Sequence, residues 1–171
     1  DKKEVKSILV RVRDLFGHKL SSVVTNSVDT IVISSFLGLN MVTIYNNYYY
    51  LMSAVSGILD IIYQGILAGI GNSLVSESKE KNRKDFDKFF LINAWIVGWC
   101  TLCFLCLYQP MIELWMGKEL MLSFDSVILL CIYFYIWKIR QTVLVYKDAA
   151  GMWNIDNKKP YIEILGNLTL N

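Results

Sequence analysis

Long apolar runs separated by short polar stretches set the rhythm of the chain. Residues 21–45, 51–75, 89–108 and 122–146 are each predominantly apolar and 20 to 25 residues long. At ~1.5 Å rise per residue, each run as a helix matches the ~30 Å hydrocarbon core of a bilayer. A fifth run starts at Tyr161 and extends through the eleven residues to Asn171, only ~16 Å of helix, so it reads as truncated at 161–171. The pattern predicts an all-α, polytopic membrane helical bundle of about four complete transmembrane helices plus the start of a fifth, and a piece of a longer protein. Ahead of it, residues 1–20 carry Val5, Ile8, Leu9, Val12, Leu15 and Phe16 at helical spacing among basic residues. That is the pattern of an amphipathic segment on the cytoplasmic membrane surface.

The polar positions inside the apolar runs carry the candidate chemistry. In the first run Ser22, Asn26 and Asp29 follow at helical spacing with Thr25 beside them, while Val24, Val28, Ile31 and Val32 form the other face. In the second, Gly57, Asp60, Gln64, Ala68 and Gly71 recur every three or four residues, so an acid again has an amide one turn away. An ionisable group at that depth costs ~2.5–3.5 kcal/mol on insertion scales, and it faces a bundle interior, a wet cavity or a partner charge. The plainer reading makes each acid a static bundle contact; the functional one makes both stripes part of a transport pathway, and two adjacent acid-bearing helices favour it. A ridge of small residues, Ser53, Gly57, Gly65, Gly69 and Ser73, includes a GxxxG suited to close helix approach.

Turns are expected at the neutral Asn46-Asn47-Tyr48-Tyr49-Tyr50, whose tyrosines suit a membrane interface. A mixed-charge connector is expected at Glu77–Lys88, and a turn at Pro110 with Met111–Leu120, where Trp115 is an interfacial anchor. The third run, 89–108, is apolar on nearly every side apart from Asn93, as a lipid-exposed helix would be. Lysine and arginine number six before the first run, none in the first turn, five in 77–88, one at Lys118 and five from Lys138 onward. This alternation obeys the positive-inside rule and places the start of the chain, 77–88 and the 147–159 segment on the cytoplasmic side.

Composition sharpens the class. The chain is 54% hydrophobic and 19% charged over 171 residues, with mean hydropathy +0.40. A soluble domain of this size could not bury several unbroken apolar runs. The five bases of 77–88 are interleaved with four acids, so no nucleic-acid patch is expected. Cys100, Cys103 and Cys106 form CxxCxxC, but Pro110 stands where an iron–sulfur run needs its fourth cysteine. They read as small apolar fillers, Cys131 is isolated, and a lone His18 makes no metal site. Neither a Walker A, a GxSxG, an HExxH nor a Rossmann glycine pattern is present. The Asn167-Leu168-Thr169 sequon lies within an apolar run. No cofactor, no metal and no enzyme chemistry is expected.

Several stretches carry a family likeness. They are His18-Lys19, the run Asn26 to Ser34, Phe36-Leu37-Gly38-Leu39, Ile44 to Tyr48, Gly69-Ile70-Gly71-Asn72, Glu113 to Gly117, Arg140-Gln141-Thr142, Lys147-Asp148-Ala149, Gly151 and Lys159-Pro160. Together they resemble the MATE-like polysaccharide flippases, the O-antigen and capsule type of the MOP superfamily. The resemblance implies the seventh to tenth helices of a twelve-helix protein plus the start of the eleventh, most of the second of two six-helix lobes. It also implies a bacterial plasma-membrane location, a missing N-terminal lobe as partner, and transport of an undecaprenyl-diphosphate-linked oligosaccharide by ion-coupled alternating access. On that reading Asn26, Asp29, Asp60 and Gln64 line the pathway, and Asp29 and Asp60 hold a coupling H⁺ or Na⁺. A diphosphate needs a cation, and the two central helices carry none. Lys138 and Arg140 are then the candidate contacts, unless both snorkel to the cytoplasmic end of their helix or the phosphate site lies in the other lobe.

Three alternatives remain open: a MATE-type multidrug or cation antiporter, a non-transporting scaffold of envelope assembly, and a membrane glycosyltransferase or polymerase for which Asp125 is the only partial candidate.

Overall fold

A computed structural model describes the backbone of residues 2–152, 162 and 166, and the side chains of 12, 16, 30–152, 162 and 166. Every element among them is helical: α1 (Lys2–Ser76), α2 (Lys79–Met116), a 3-10 turn (Lys118–Leu120) and α3 (Phe124–Ala149). Three stretches, Thr30–Ser76, Lys79–Met116 and Phe124–Ala149, are long and apolar enough to cross a membrane. The chain divides into two compact units, residues 43–151 and residues 1–42 with 152–171. In the second of these α1 is interrupted at Gly38, whose φ of 83° is open to glycine and strained for other residues. Residues 2–20 of the expected amphipathic segment are helical, with Val12 and Phe16 exposed. The truncated run at 161–171 lies outside the described residues apart from 162 and 166.

Among the described residues three candidate spans are found, and the expected count of four complete helices is not confirmed. Residues 46–50, expected as a turn, are helical, so the first two runs form one element whose interruption falls at Gly38 instead. Nothing in Asn46–Tyr50 breaks a helix, and Tyr48 is fully buried rather than interfacial. Only Glu77 and Ser78 separate α1 from α2. Most of the expected connector is helix: Ser78 caps α2 by accepting from the Lys81 amide, and Lys81–Glu77 and Lys84–Glu80 pair one turn apart. Asn82 ties the joint, accepting from the Ser73 hydroxyl at 2.7 Å and donating to the Ser73 carbonyl at 3.1 Å. The turn expected at Pro110 is also absent. α2 continues through the proline to Met116 and stops at Gly117, with φ 88°, where Lys118 reaches Glu113 at 3.3 Å. Proline removes one amide donor, a loss that long membrane helices accommodate.

Residues 43–151 pack as three helices in layers. Buried positions on α1 run Ile44, Tyr48, Met52, Ser56, Leu59, Tyr63, a single stripe at steps of three and four. α2 contributes Asn93, Val97, Phe104, Tyr108 and Ile112; α3 contributes Val127, Leu130, Cys131, Phe134, Lys138, Thr142 and Val145. At one end the Tyr48 hydroxyl donates to Gln109 Oε1 at 2.9 Å and accepts from the Leu122 amide at 3.1 Å, while Gln109 Nε2 donates to the Leu122 carbonyl at 2.8 Å. Tyr108 closes the layer by donating to the Tyr48 carbonyl at 3.2 Å. Phe104 stacks on Tyr108 and meets Phe134 edge-on, with centroids 4.7 and 4.9 Å apart. The opposite end is an aromatic cluster of Phe86, Phe89 and Tyr146.

Large apolar side chains point the other way. Ile58, Ile61, Leu91, Trp95, Trp99 and Ile136 are all exposed, as are Cys103 and Cys106 of the CxxCxxC run, while Cys131 is buried. Polar contacts inside and a greasy exterior are the organisation of a membrane-embedded bundle. The GxxxG ridge does not mediate packing among the described residues. Gly57, Gly65 and Gly69 have open space where a Cβ would lie, and Gly71 instead comes within reach of the Ala149 carbonyl.

Tyr48→Phe removes a donor and an acceptor at once and leaves the Leu122 amide and Gln109 unsatisfied. It is expected to cost about 1–3 kcal/mol in thermal unfolding of the detergent-solubilised protein, whereas Tyr50→Phe, at an exposed position, changes stability by less than about 0.5 kcal/mol.

Candidate functional site

The middle layer of the bundle holds the candidate site. Lys138 lies fourteen residues into α3, ~21 Å along the helix and well short of its end. It is 1% exposed, so its side chain does not snorkel to a helix terminus. Its ammonium donates to Asp60 Oδ1 at 2.8 Å and, at 3.4 Å, to the Ser56 carbonyl one turn earlier on α1. The same nitrogen sits 4.2 Å from the centroid of the Trp137 ring, within cation–π range. One acid of the second apolar run and one base of the last thus form a pair across two helices.

Asn93 locks this arrangement from α2. Its Oδ1 accepts from the Tyr63 hydroxyl at 2.6 Å, and its Nδ2 donates to the Lys138 carbonyl at 3.0 Å and to Thr142 Oγ1 at 2.9 Å. One amide therefore satisfies partners on α1 and α3 together, and it fixes the backbone from which the lysine extends. Tyr63 also meets Phe89 edge-on at 6.2 Å. Such a network is costly to leave half-made where water is excluded, so each member holds the others in place.

The pair is asymmetric. Lys138 is sealed in, whereas the Asp60 side chain keeps 41% of its surface exposed. Asp60 opens onto a cavity of about 370 Å³ whose polar wall is completed by Gln64, Gln141 and Asp148 and whose apolar wall includes Trp137, Tyr63 and Leu67. This volume is at the lower end of ligand-sized pockets, ~300–1,000 Å³. Among the described residues no basic side chain lines it. Arg140 is exposed on α3, and among the described residues no hydrogen bond or ion pair engages it. Asp125 is exposed in the first turn of α3, which Ser123 caps.

Of the residues singled out from the sequence, the structure brings Asp60, Gln64 and Lys138 together and places Arg140 outside the cavity. The side chains of Asn26, Asp29 and His18 lie outside the described residues. The sequence reading passed over Asn93, Trp137 and Gln141. Asn93 was findable, being the single amide within an otherwise apolar span and so a strong candidate for an interhelical bond. Among the described residues, no group of three or more histidine, cysteine or acidic side chains could hold a metal ion. The chain matches no family model, no curated protein and no solved structure.

Asn93→Ala strips three hydrogen bonds and leaves the Tyr63 hydroxyl and Thr142 Oγ1 without their buried partner. It is expected to destabilise the protein by about 2 kcal/mol, with Arg140→Gln within about 0.5 kcal/mol of the parent. Thermal unfolding of the three proteins in one detergent compares them directly.

Proposed function

We propose that the chain is part of a bacterial plasma-membrane transporter of the MATE-like kind, a flippase that carries an undecaprenyl-diphosphate-linked oligosaccharide from the inner to the outer leaflet by ion-coupled alternating access. The observation that carries this reading is the Asp60–Lys138 pair, whose buried ammonium meets a carboxylate that opens onto a cavity. Ionisable pairs at that depth mark substrate or ion pathways more often than static packing. The cavity wall, half amide and carboxylate and half aromatic and aliphatic, offers hydroxyl partners and an apolar face, as a sugar requires. The greasy exterior suits a lipid tail moving alongside.

Asp60 and, by its sequence position, Asp29 are the coupling carboxylates, with Asn26 and Gln64 as their pathway neighbours. The diphosphate contact on this lobe falls to Arg140, because the Lys138 ammonium is engaged by Asp60 and reaches an anion only once released. The α1–α2 joint and residues 147–159 face the cytoplasm on the positive-inside count. One observation favours a second reading. Among the described residues the cavity wall carries the acids Asp60 and Asp148 beside the Trp137 ring, a setting also suited to an organic cation, which would make the protein a multidrug antiporter of the same fold.

Asp29→Asn and Asp60→Asn in the intact protein separate these readings in cells that make a surface polysaccharide. The flippase predicts normal expression with lipid-linked glycan trapped on the cytoplasmic leaflet, at least about tenfold above the parent. Drug hypersensitivity without trapped glycan indicates the antiporter. No change in either makes the carboxylates structural and the protein a scaffold.

A further inference from the structure

We propose that the Lys138 ammonium is a tethered cation that fills a monovalent-cation site, so that Na⁺ does not bind at Asp60. The consequence for ion coupling rests on the transporter reading above; the occupancy of the site does not.

The surroundings of the ammonium are those of a cation receptor. A carboxylate oxygen lies at 2.8 Å, a backbone carbonyl at 3.4 Å and an indole face at 4.2 Å. Oxygen ligands of this kind hold hard metal cations, and an aromatic face adds attraction for ammonium. Ser56, whose carbonyl takes part, is 2% exposed and its hydroxyl has no hydrogen-bond partner among the described residues. An oxygen is thus to spare at the residue that already meets the ammonium. Asn93 anchors the Lys138 carbonyl and so fixes the backbone from which the ammonium reaches Asp60.

The charges around Asp60 determine which ion it accepts. From α3 it faces Lys138 and shares the cavity with Asp148 and the neutral Trp137 and Gln141. From its own helix it has Tyr63 and Gln64, and from α2 only the neutral Asn93 amide, acting through Tyr63. An alkali ion entering through the cavity would therefore stand beside a buried ammonium that already takes up the carboxylate. Like charges at such separation in a medium of low dielectric repel strongly.

Lys138→Ala removes three methylenes and the ammonium, the outline of propylammonium, so the vacated site is open to chemical rescue. In the purified intact protein, the unfolding temperature of the parent is expected to be the same within about 1 °C in sodium chloride and in N-methylglucamine chloride of equal ionic strength. Propylammonium is expected to raise that of Lys138→Ala by about 5 °C in a saturable manner, and to leave the Asp60→Asn/Lys138→Ala double variant unchanged. A Na⁺-specific rise in the parent that Asp60→Asn abolishes overturns the proposal, as does indifference of Lys138→Ala to propylammonium. Should Lys138→Ala not fold, equilibrium binding of radioactive Na⁺ to the parent decides. Saturable binding lost in Asp60→Asn contradicts the proposal, and no saturable binding upholds it. These readouts are of binding and stability, so their failure leaves the glycan-trapping result standing, and the reverse.

Discussion

A lysine ammonium sealed inside a bundle of apolar helices is the constraint from which the rest of this structure follows. Even after relaxation, removing such a charge from water costs several kcal/mol, and only a close counter-charge with further polar partners offsets it. Asp60 supplies the counter-charge, the Ser56 carbonyl and the Trp137 face add to it, and Asn93 fixes the backbone that carries the lysine. Each partner sits on a position that the helical period turns inward. Between helices in a bilayer, apolar burial supplies little net attraction, and close packing and hydrogen bonds decide which faces meet. That explains why a few polar side chains, Ser56, Asn93, Lys138 and Thr142, are buried within an apolar interior while the exterior is greasy.

The layers on either side of the pair brace it. Tyr48, Gln109 and Leu122 tie α1 to the end of α2 and the entry to α3, and the Phe104–Tyr108–Phe134 cluster fills the space next to them. Beyond the pair, Phe86, Phe89 and Tyr146 pack together while Asn82 clasps Ser73 across the α1–α2 joint. The central layer is thus held from both ends, and the one part of it left open is the cavity side of Asp60.

The helical, membrane-embedded character was legible from the apolar runs alone, because their length and composition leave no other way to satisfy the backbone. Element boundaries were not. Asn46–Tyr50 and Pro110 have the composition of turns, but tertiary partners for Tyr48 and continuous packing of α2 keep both stretches helical. Gly38 looked like one small residue among many, and its positive φ is a property no spacing rule reveals. At the site, Asp60 and Gln64 were visible as a polar stripe, yet the partnership with Lys138 was not. The two lie seventy-eight positions apart, and a lysine in the second half of the 122–146 run is open to a snorkelling reading. Opposite charges in two spans were the available signal. A rule that pairs them before assigning either to a ligand would have joined them.

A double-mutant cycle on Asp60 and Lys138 tests the central claim most directly. The intact protein, Asp60→Asn, Lys138→Met and the double variant are compared by equilibrium unfolding in one lipid or detergent. If the pair organises the bundle, each single change leaves the other group uncompensated. The double variant is then more stable than the sum of the singles predicts, by about 1–3 kcal/mol. Additivity within about 0.5 kcal/mol would show that the two charges do not depend on each other, and the account built on them would be contradicted.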